Sequence, residues 1–93
     1  MVTKIINKIM SKVFLKLQSI LARQFSIPRD NIQPEARFKE ELGADSRDFF
    51  EILQVFEETF KININSEDAV QIFTINDAFR YIEKKLNEKV KNN

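Results

Sequence analysis

The stretch Glu41-Leu42-Gly43-Ala44-Asp45-Ser46-Arg47-Asp48-Phe49-Phe50-Glu51-Ile52-Leu53-Gln54-Val55-Phe56-Glu57-Glu58-Thr59-Phe60 decides the fold. At 100° per residue Phe49, Ile52, Leu53, Phe56 and Phe60 gather on one side, which predicts a helix from Ser46 to Phe60 or Lys61. The opposite side carries Arg47, Glu51, Gln54 and Glu58, with Phe50 and Val55 flanking it, so the outward face is acidic with apolar edges. Gly43, the only glycine in the chain, stands where the preceding loop must turn into this helix, a place for a backbone angle that side chains resist. An Asp-Ser pair entering a helix is, by itself, usually a cap.

N-terminal to this helix, residues 26–45 break the periodicity, with Pro28 and Pro34 fixing φ and disfavouring helix before them. A loop of about twenty residues in a small domain must be pinned to the core or functional, and Ile27, Ile32, Phe38 and Leu42 are spaced as pins. Before the loop, Ile5, Ile6, Ile9, Met10, Val13, Phe14, Leu17, Ile20 and Leu21 predict an amphipathic helix from Thr3 to about Phe25. On it Lys4, Lys8, Lys12 and Lys16 advance by about 40° per step and fan across one face. A solvated face is the plain meaning, and a basic surface for anionic lipid or an acidic partner the sharper one. C-terminal to the deciding helix, Ser66 as N-cap with Glu67 and Asp68 behind it predicts a short third helix to about Ile72. Ile75, Ala78, Phe79, Ile82 and Leu86 predict a fourth, ending in a Lys-rich tail over 87–93 expected to fray. The expected fold is all-α, a four-helix bundle with a long loop between helices 1 and 2 and a short helix 3, in a single domain over 1–93 whose residues 1–10 extend helix 1.

Composition narrows the function. The chain has 93 residues, no Cys and no His, which removes zinc fingers, thiolate nucleophiles and imidazole-based triads. One Gly and two Pro leave no Gly-rich phosphate cradle. No catalytic residue and no metal ligand set are expected, so the protein is not expected to be an enzyme. The net charge of +1 conceals a division: residues 1–29 carry six bases and no acid, residues 30–69 eleven acids and four bases, and residues 70–93 five bases and three acids. The acidic middle attracts basic partners, whereas a total near zero argues against nucleic acid. No apolar run approaches the roughly 18 residues of a spanning helix, so a cytoplasmic protein without membrane contact is expected.

Over residues 11–88 the chain resembles the acyl carrier protein family. The resemblance rests on the turn Leu42-Gly43-Ala44-Asp45-Ser46, the helix reading DFFEILQVFEETF from Asp48 to Phe60, and the segments Thr74-Ile75-Asn76-Asp77-Ala78 and Tyr81-Ile82-Glu83-Lys84-Lys85. It implies that Ser46, with Asp45 and Gly43 beside it, receives 4′-phosphopantetheine from coenzyme A through a phosphopantetheinyl transferase. It also implies that acyl groups ride on the arm's thiol as thioesters, in fatty-acid or specialised lipid or polyketide-type synthesis. Acyl-processing enzymes with basic docking patches are the implied partners, reading Arg47, Asp48, Glu51, Gln54, Glu57 and Glu58 on a monomeric carrier. A peptidyl or aminoacyl carrier of the same fold, or an unmodified interaction module, are the alternatives.

The chain departs from that family at informative places. Arg47 follows the serine where Leu is usual, and Gln54 replaces a customary Met. A cation in the first turn opposes the helix dipole by about 0.3 to 1 kcal/mol and recovers only a few tenths from Glu51. Local stability therefore gives no reason for it: either it is a tolerated surface change, or it redirects which transferase or partner can bind. Phe50 and Phe56 stand where aliphatic side chains are common and, with Phe73 nearby on helix 3, are expected to fill space between the helices, leaving a reduced acyl pocket and a preference for short or unusual cargo. The near-neutral total, in a family that is usually acidic, suggests a specialised carrier.

Overall fold

The computed structural model describes residues 2–91, with side chains over 12–90. Four α-helices are present: α1 Val2–Phe25, α2 Ser46–Phe60, α3 Ser66–Ala69 and α4 Ile75–Lys91. A 3₁₀ turn, Arg29–Asn31, follows Pro28 in the long loop. The core is where the predicted apolar stripes converge. Leu17 and Leu21 from α1, Ile52 and Phe56 from α2, and Ile75 and Ile82 from α4 have at most 1% of their surface exposed. Phe14 meets Phe79 edge-on at 5.5 Å and ties α1 to α4.

The loop between α1 and α2 is held down as its apolar residues predicted. Ile32 and Phe38 are buried, and Ile27 and Leu42 pack against the core. Gln18 donates its amide to the Ile32 carbonyl at 2.8 Å. Arg37 and Thr74 form an antiparallel bridge, and backbone N–H groups run from Phe38 to Phe73 O, from Ile75 to Ala36 O and from Asn76 to Pro34 O. These bonds satisfy backbone groups that burial would otherwise orphan, and they fasten the loop to the segment entering α4. Upstream, α1 stops at Ser26, whose φ of 55° is left-handed, with the Ile27 N–H closing on Ala22 O.

Helix boundaries follow the polar groups available to cap them. The cap of α3 is Asn65, not Ser66: its Oδ1 accepts the Asp68 N–H at 2.8 Å. The helix proper ends at Ala69, and the turn to Ile72 tightens into i→i+3 bonds from Gln71 to Asp68 O and from Ile72 to Ala69 O. Tyr81 donates its hydroxyl to Asp68 at 2.6 Å, joining α3 to α4. Burial and that bond push the phenol well above its ordinary value. Residues 87–91, expected to fray, continue α4, and Lys89 donates to the Lys61 carbonyl at 2.7 Å. Residues 92–93 of the expected frayed tail, and the side chains of the expected N-terminal extension, lie outside the described residues.

Thr74 and Asp77 cap α4 reciprocally. Asp77 accepts the N–H groups of Phe73 and Thr74 at 3.0 Å, and Thr74 Oγ1 accepts the Asp77 N–H. Partial burial acts to raise the Asp77 carboxyl, but the two backbone N–H donors outweigh it and hold the group below its ordinary value of 3.8. A carboxyl depressed on folding stabilises the native state above its unfolded pKa, and that contribution disappears as pH falls through the folded pKa. Asp77→Ala is accordingly expected to cost about 1 kcal/mol near pH 7. The gap between its melting temperature and that of the parent should close as pH falls from about 5 towards 2. A gap that stays constant across that range would show that the carboxylate charge is not what caps α4.

A candidate attachment site at the start of α2

Gly43 adopts a φ of 70°, and a Cβ added there would meet nothing within 4 Å, so the demand for glycine is conformational rather than steric. Ala44 then buries its methyl and donates its N–H to Phe38 O at 2.8 Å, setting the loop's exit direction. Asp45, in extended conformation, is the N-cap. Its Oδ1 accepts the Asp48 N–H at 2.8 Å, and Asp48 Oδ2 accepts the Asp45 N–H at 3.3 Å, a capping box built from two aspartates.

With the cap supplied by Asp45, Ser46 occupies the first helical position, exposed, and its hydroxyl enters none of the described side-chain hydrogen bonds. The Asp48 and Phe49 N–H groups are taken by Asp45. Those of Ser46 and Arg47 remain as open donors at the positive end of a fifteen-residue helix. Beside Ser46 runs an open groove of about 670 Å³, walled by Phe38, Phe49, Val70 and Phe73, with Arg37 and Lys39 on its rim. Cations and open N–H groups suit a phosphodiester on Ser46. The apolar wall suits the rest of a 4′-phosphopantetheine arm, so the residues present fit that group.

The expected partner-facing residues divide once placed. Arg47, Glu51, Gln54 and Glu58 are exposed along one strip of α2. The Arg47 side chain is 88% exposed and touches Glu51 at 3.5 Å, too loosely to hold it. Glu57 is otherwise engaged: its Oε2 accepts the Ile64 N–H at 2.9 Å, closing the turn that follows the left-handed Lys61. Asp48 is half-committed to the capping box.

The expected filling of the helix interior by three phenylalanines is corrected. Phe56 is fully buried, but Phe50 is 56% exposed and Phe73 is 64% exposed. Phe73 lies beyond α3, in the connector to α4, where its carbonyl is bound by Phe38 and its ring is left outside. Phe50 sits one residue past the buried stripe and leans on Phe49, ring centroids 6.3 Å apart. Val70, 69% exposed, lines the groove beside Ser46 with Phe49 and Phe73, a grouping the linear sequence did not reveal because its members come from α2 and from the segment between α3 and α4.

Residues 15–82 match the family model described as phosphopantetheine attachment site. The fold is similar to that of the acyl carrier protein from Enterococcus faecalis, a structure connected with high thermal stability, at 30% identity and a TM-score of 0.71, covering 82% of this chain and 96% of that one. It is similar also to the acyl carrier protein from Thermotoga maritima, at 29% identity and a TM-score of 0.73, covering 85% and 92%. With the match spanning most of the chain and the helices superposing over nearly the full length of both structures, the protein belongs to the acyl carrier protein family, whose domain carries 4′-phosphopantetheine covalently.

Proposed function

We propose that Ser46 is the attachment residue and that the protein carries acyl groups as thioesters for lipid or polyketide-type synthesis, in the cytoplasm and as a monomer. The observation that supports this is the exposed Ser46 hydroxyl, at a helix start with two open N–H donors and beside an apolar groove. In the loading step Ser46 Oγ forms a bond to the phosphorus of coenzyme A nearer the pantetheine. The pyrophosphate bond breaks, 3′,5′-ADP leaves, and the serine proton passes to a base on the transferase. The attached group supplies the thiol that the chain, without cysteine, lacks. The chain's own residues hold the phosphodiester by N–H donors and present an acidic strip to basic partners, for which exposed pairs of roughly 0.2 to 1 kcal/mol give short-lived contacts suited to a shuttle.

Incubation with coenzyme A and a broad-specificity phosphopantetheinyl transferase should add the mass of one phosphopantetheinyl group, located by peptide mapping to Ser46. No gain would favour an unmodified interaction module, a use that the exposed Arg47 guanidinium would serve, and a gain elsewhere would overturn Ser46 as the attachment residue.

Arg47 has a separate consequence. Set among acids that meet a basic patch, it repels that patch, so Arg47→Gln should lower the transferase KM by roughly 1.5- to 5-fold. Its melting temperature should stay close to the parent's, because the dipole penalty removed and the Glu51 pair lost are both small. A raised KM would mean that Arg47 makes a favourable contact of its own with the transferase.

A further inference from the structure

We propose that the outward face of α1 is a docking surface for anionic phospholipid headgroups, amending the expectation of no membrane contact. Lys12, Leu15, Lys16, Ser19 and Arg23 are all exposed, Leu15 by 47%. At 100° per residue they fall within one arc of about 100°. Leu17 and Leu21 lie on the other side of the helix, sealed in the core. The described ion pairs are Arg47–Glu51 and Lys85–Glu88, and neither involves α1. In sequence, Lys4 and Lys8 precede at the same four-residue interval, and no acid occurs before Asp30. The face is therefore uncompensated positive charge around one apolar side chain.

That chemistry fits a lipid surface better than other polyanions. The described grooves are lined by other elements, and the exposed residues of this face are a row of flexible point charges around one leucine. The large exposed aromatic side chains, Phe50 and Phe73, lie off α1 and cannot stack nucleic-acid bases there. A leucine among lysines suits the boundary where headgroups meet acyl chains. Val13, Phe14, Leu17, Ile20 and Leu21 of α1 are engaged in the core, and no helix among the described residues is long and apolar enough to cross a membrane. The contact is therefore adsorption, shallow and salt-sensitive. Most of the acids are on the loop and on α2, and none of them forms a described ion pair with Lys12, Lys16 or Arg23. The exposed face of α1 and the exposed strip of α2 both point away from the core the two helices share, so adsorption through the first leaves the strip beside Ser46 open.

Sedimentation of the full unmodified chain with vesicles decides the matter. Partitioning onto phosphatidylcholine vesicles containing about 30% phosphatidylglycerol should exceed that onto pure phosphatidylcholine by about tenfold or more at roughly 0.1 M salt, and vanish near 0.5 M. Combined Lys12→Gln, Lys16→Gln and Arg23→Gln substitutions should remove about tenfold. Arg80→Gln with Lys84→Gln, equal in kind but on α4, should leave it unchanged, with circular dichroism confirming the fold of each variant. Equal partitioning onto both vesicles, retention by the α1 variant, or tighter binding to duplex DNA than to vesicles at the same salt would overturn the proposal. The readout involves neither coenzyme A nor a transferase, so its failure leaves the assignment of Ser46 intact.

Discussion

Ser46→Ala is expected to abolish loading by coenzyme A and a transferase completely while leaving the fold near its parent stability. The two effects separate because the local structure gives capping to Asp45 and leaves Ser46 outward and uncommitted. Alanine at the first helical position loses no described hydrogen bond and is the best intrinsic helix former, so the change should stay within about 0.5 kcal/mol. For a domain of this size that is a shift of roughly 2 to 4 °C in melting temperature. The informative contrast is Asp45→Ala, which removes the Asp48 partner and should cost about 1 kcal/mol while the nucleophilic hydroxyl remains. Intact mass and a melting curve on both variants therefore give opposite pairs of results. Modification persisting in Ser46→Ala would sink the assignment, and a large loss of stability would mean that the hydroxyl has a structural role the geometry does not display.

Much of this was legible because apolar periodicity and turn chemistry are local signals. The helices around Leu17, Phe56 and Ile82 declare themselves by spacing, and Gly43 by being the single residue able to take a positive φ cheaply at that turn. The loop pins were legible too, since an apolar Ile32 or Phe38 amid polar neighbours has few places to go but inward. What escaped depends on partners distant in sequence or on a choice between equivalent neighbours. Asn65 and Ser66 are both good caps, and only the direction of the Asp68 N–H selects the first. Glu57 looked like one more surface acid until the left-handed Lys61 turned the chain and brought the Ile64 N–H within 2.9 Å. Comparison with the resembled family puts Phe50 and Phe73 inward, yet the first lies at the edge of its stripe, as its periodicity places it, and the second is held by its carbonyl, so the ring is free to face out. Of the candidate site, the serine and its turn could be found by eye. The groove beside it could not, because its walls come from segments far apart in sequence that are joined by tertiary bonds such as that from Phe38 N–H to Phe73 O.

Phe56→Ala should be the most destabilising single truncation among those considered, and its rescue reports on cargo. The ring is fully buried in the second half of α2, 6.5 Å from that of Phe60, in the core that α1 and α4 share with it. Removing such a side chain costs about 3 to 5 kcal/mol, transfer and cavity together. A domain of 93 residues holds a total of roughly 5 to 14 kcal/mol, so about a fifth of the stability or more is at stake. The melting temperature should fall by about 15 to 30 °C. Phe50→Ala, removing a ring already half in water, should cost well under 1 kcal/mol, and this difference tests the placement of the two rings independently of function. Phe56 is the one of the three phenylalanines that occupies the interior, and on the proposed acyl-carrying function the space it takes is expected to limit how far an acyl chain can enter. Its alanine variant would contain a dry apolar void of the kind that accepts hydrocarbon. Loading the variant with a long saturated acyl group should therefore raise its melting temperature more than the same loading raises that of the parent protein. An equal or smaller gain would place the cargo outside the bundle, along the Phe49, Val70 and Phe73 groove, and would remove Phe56 as a determinant of chain length.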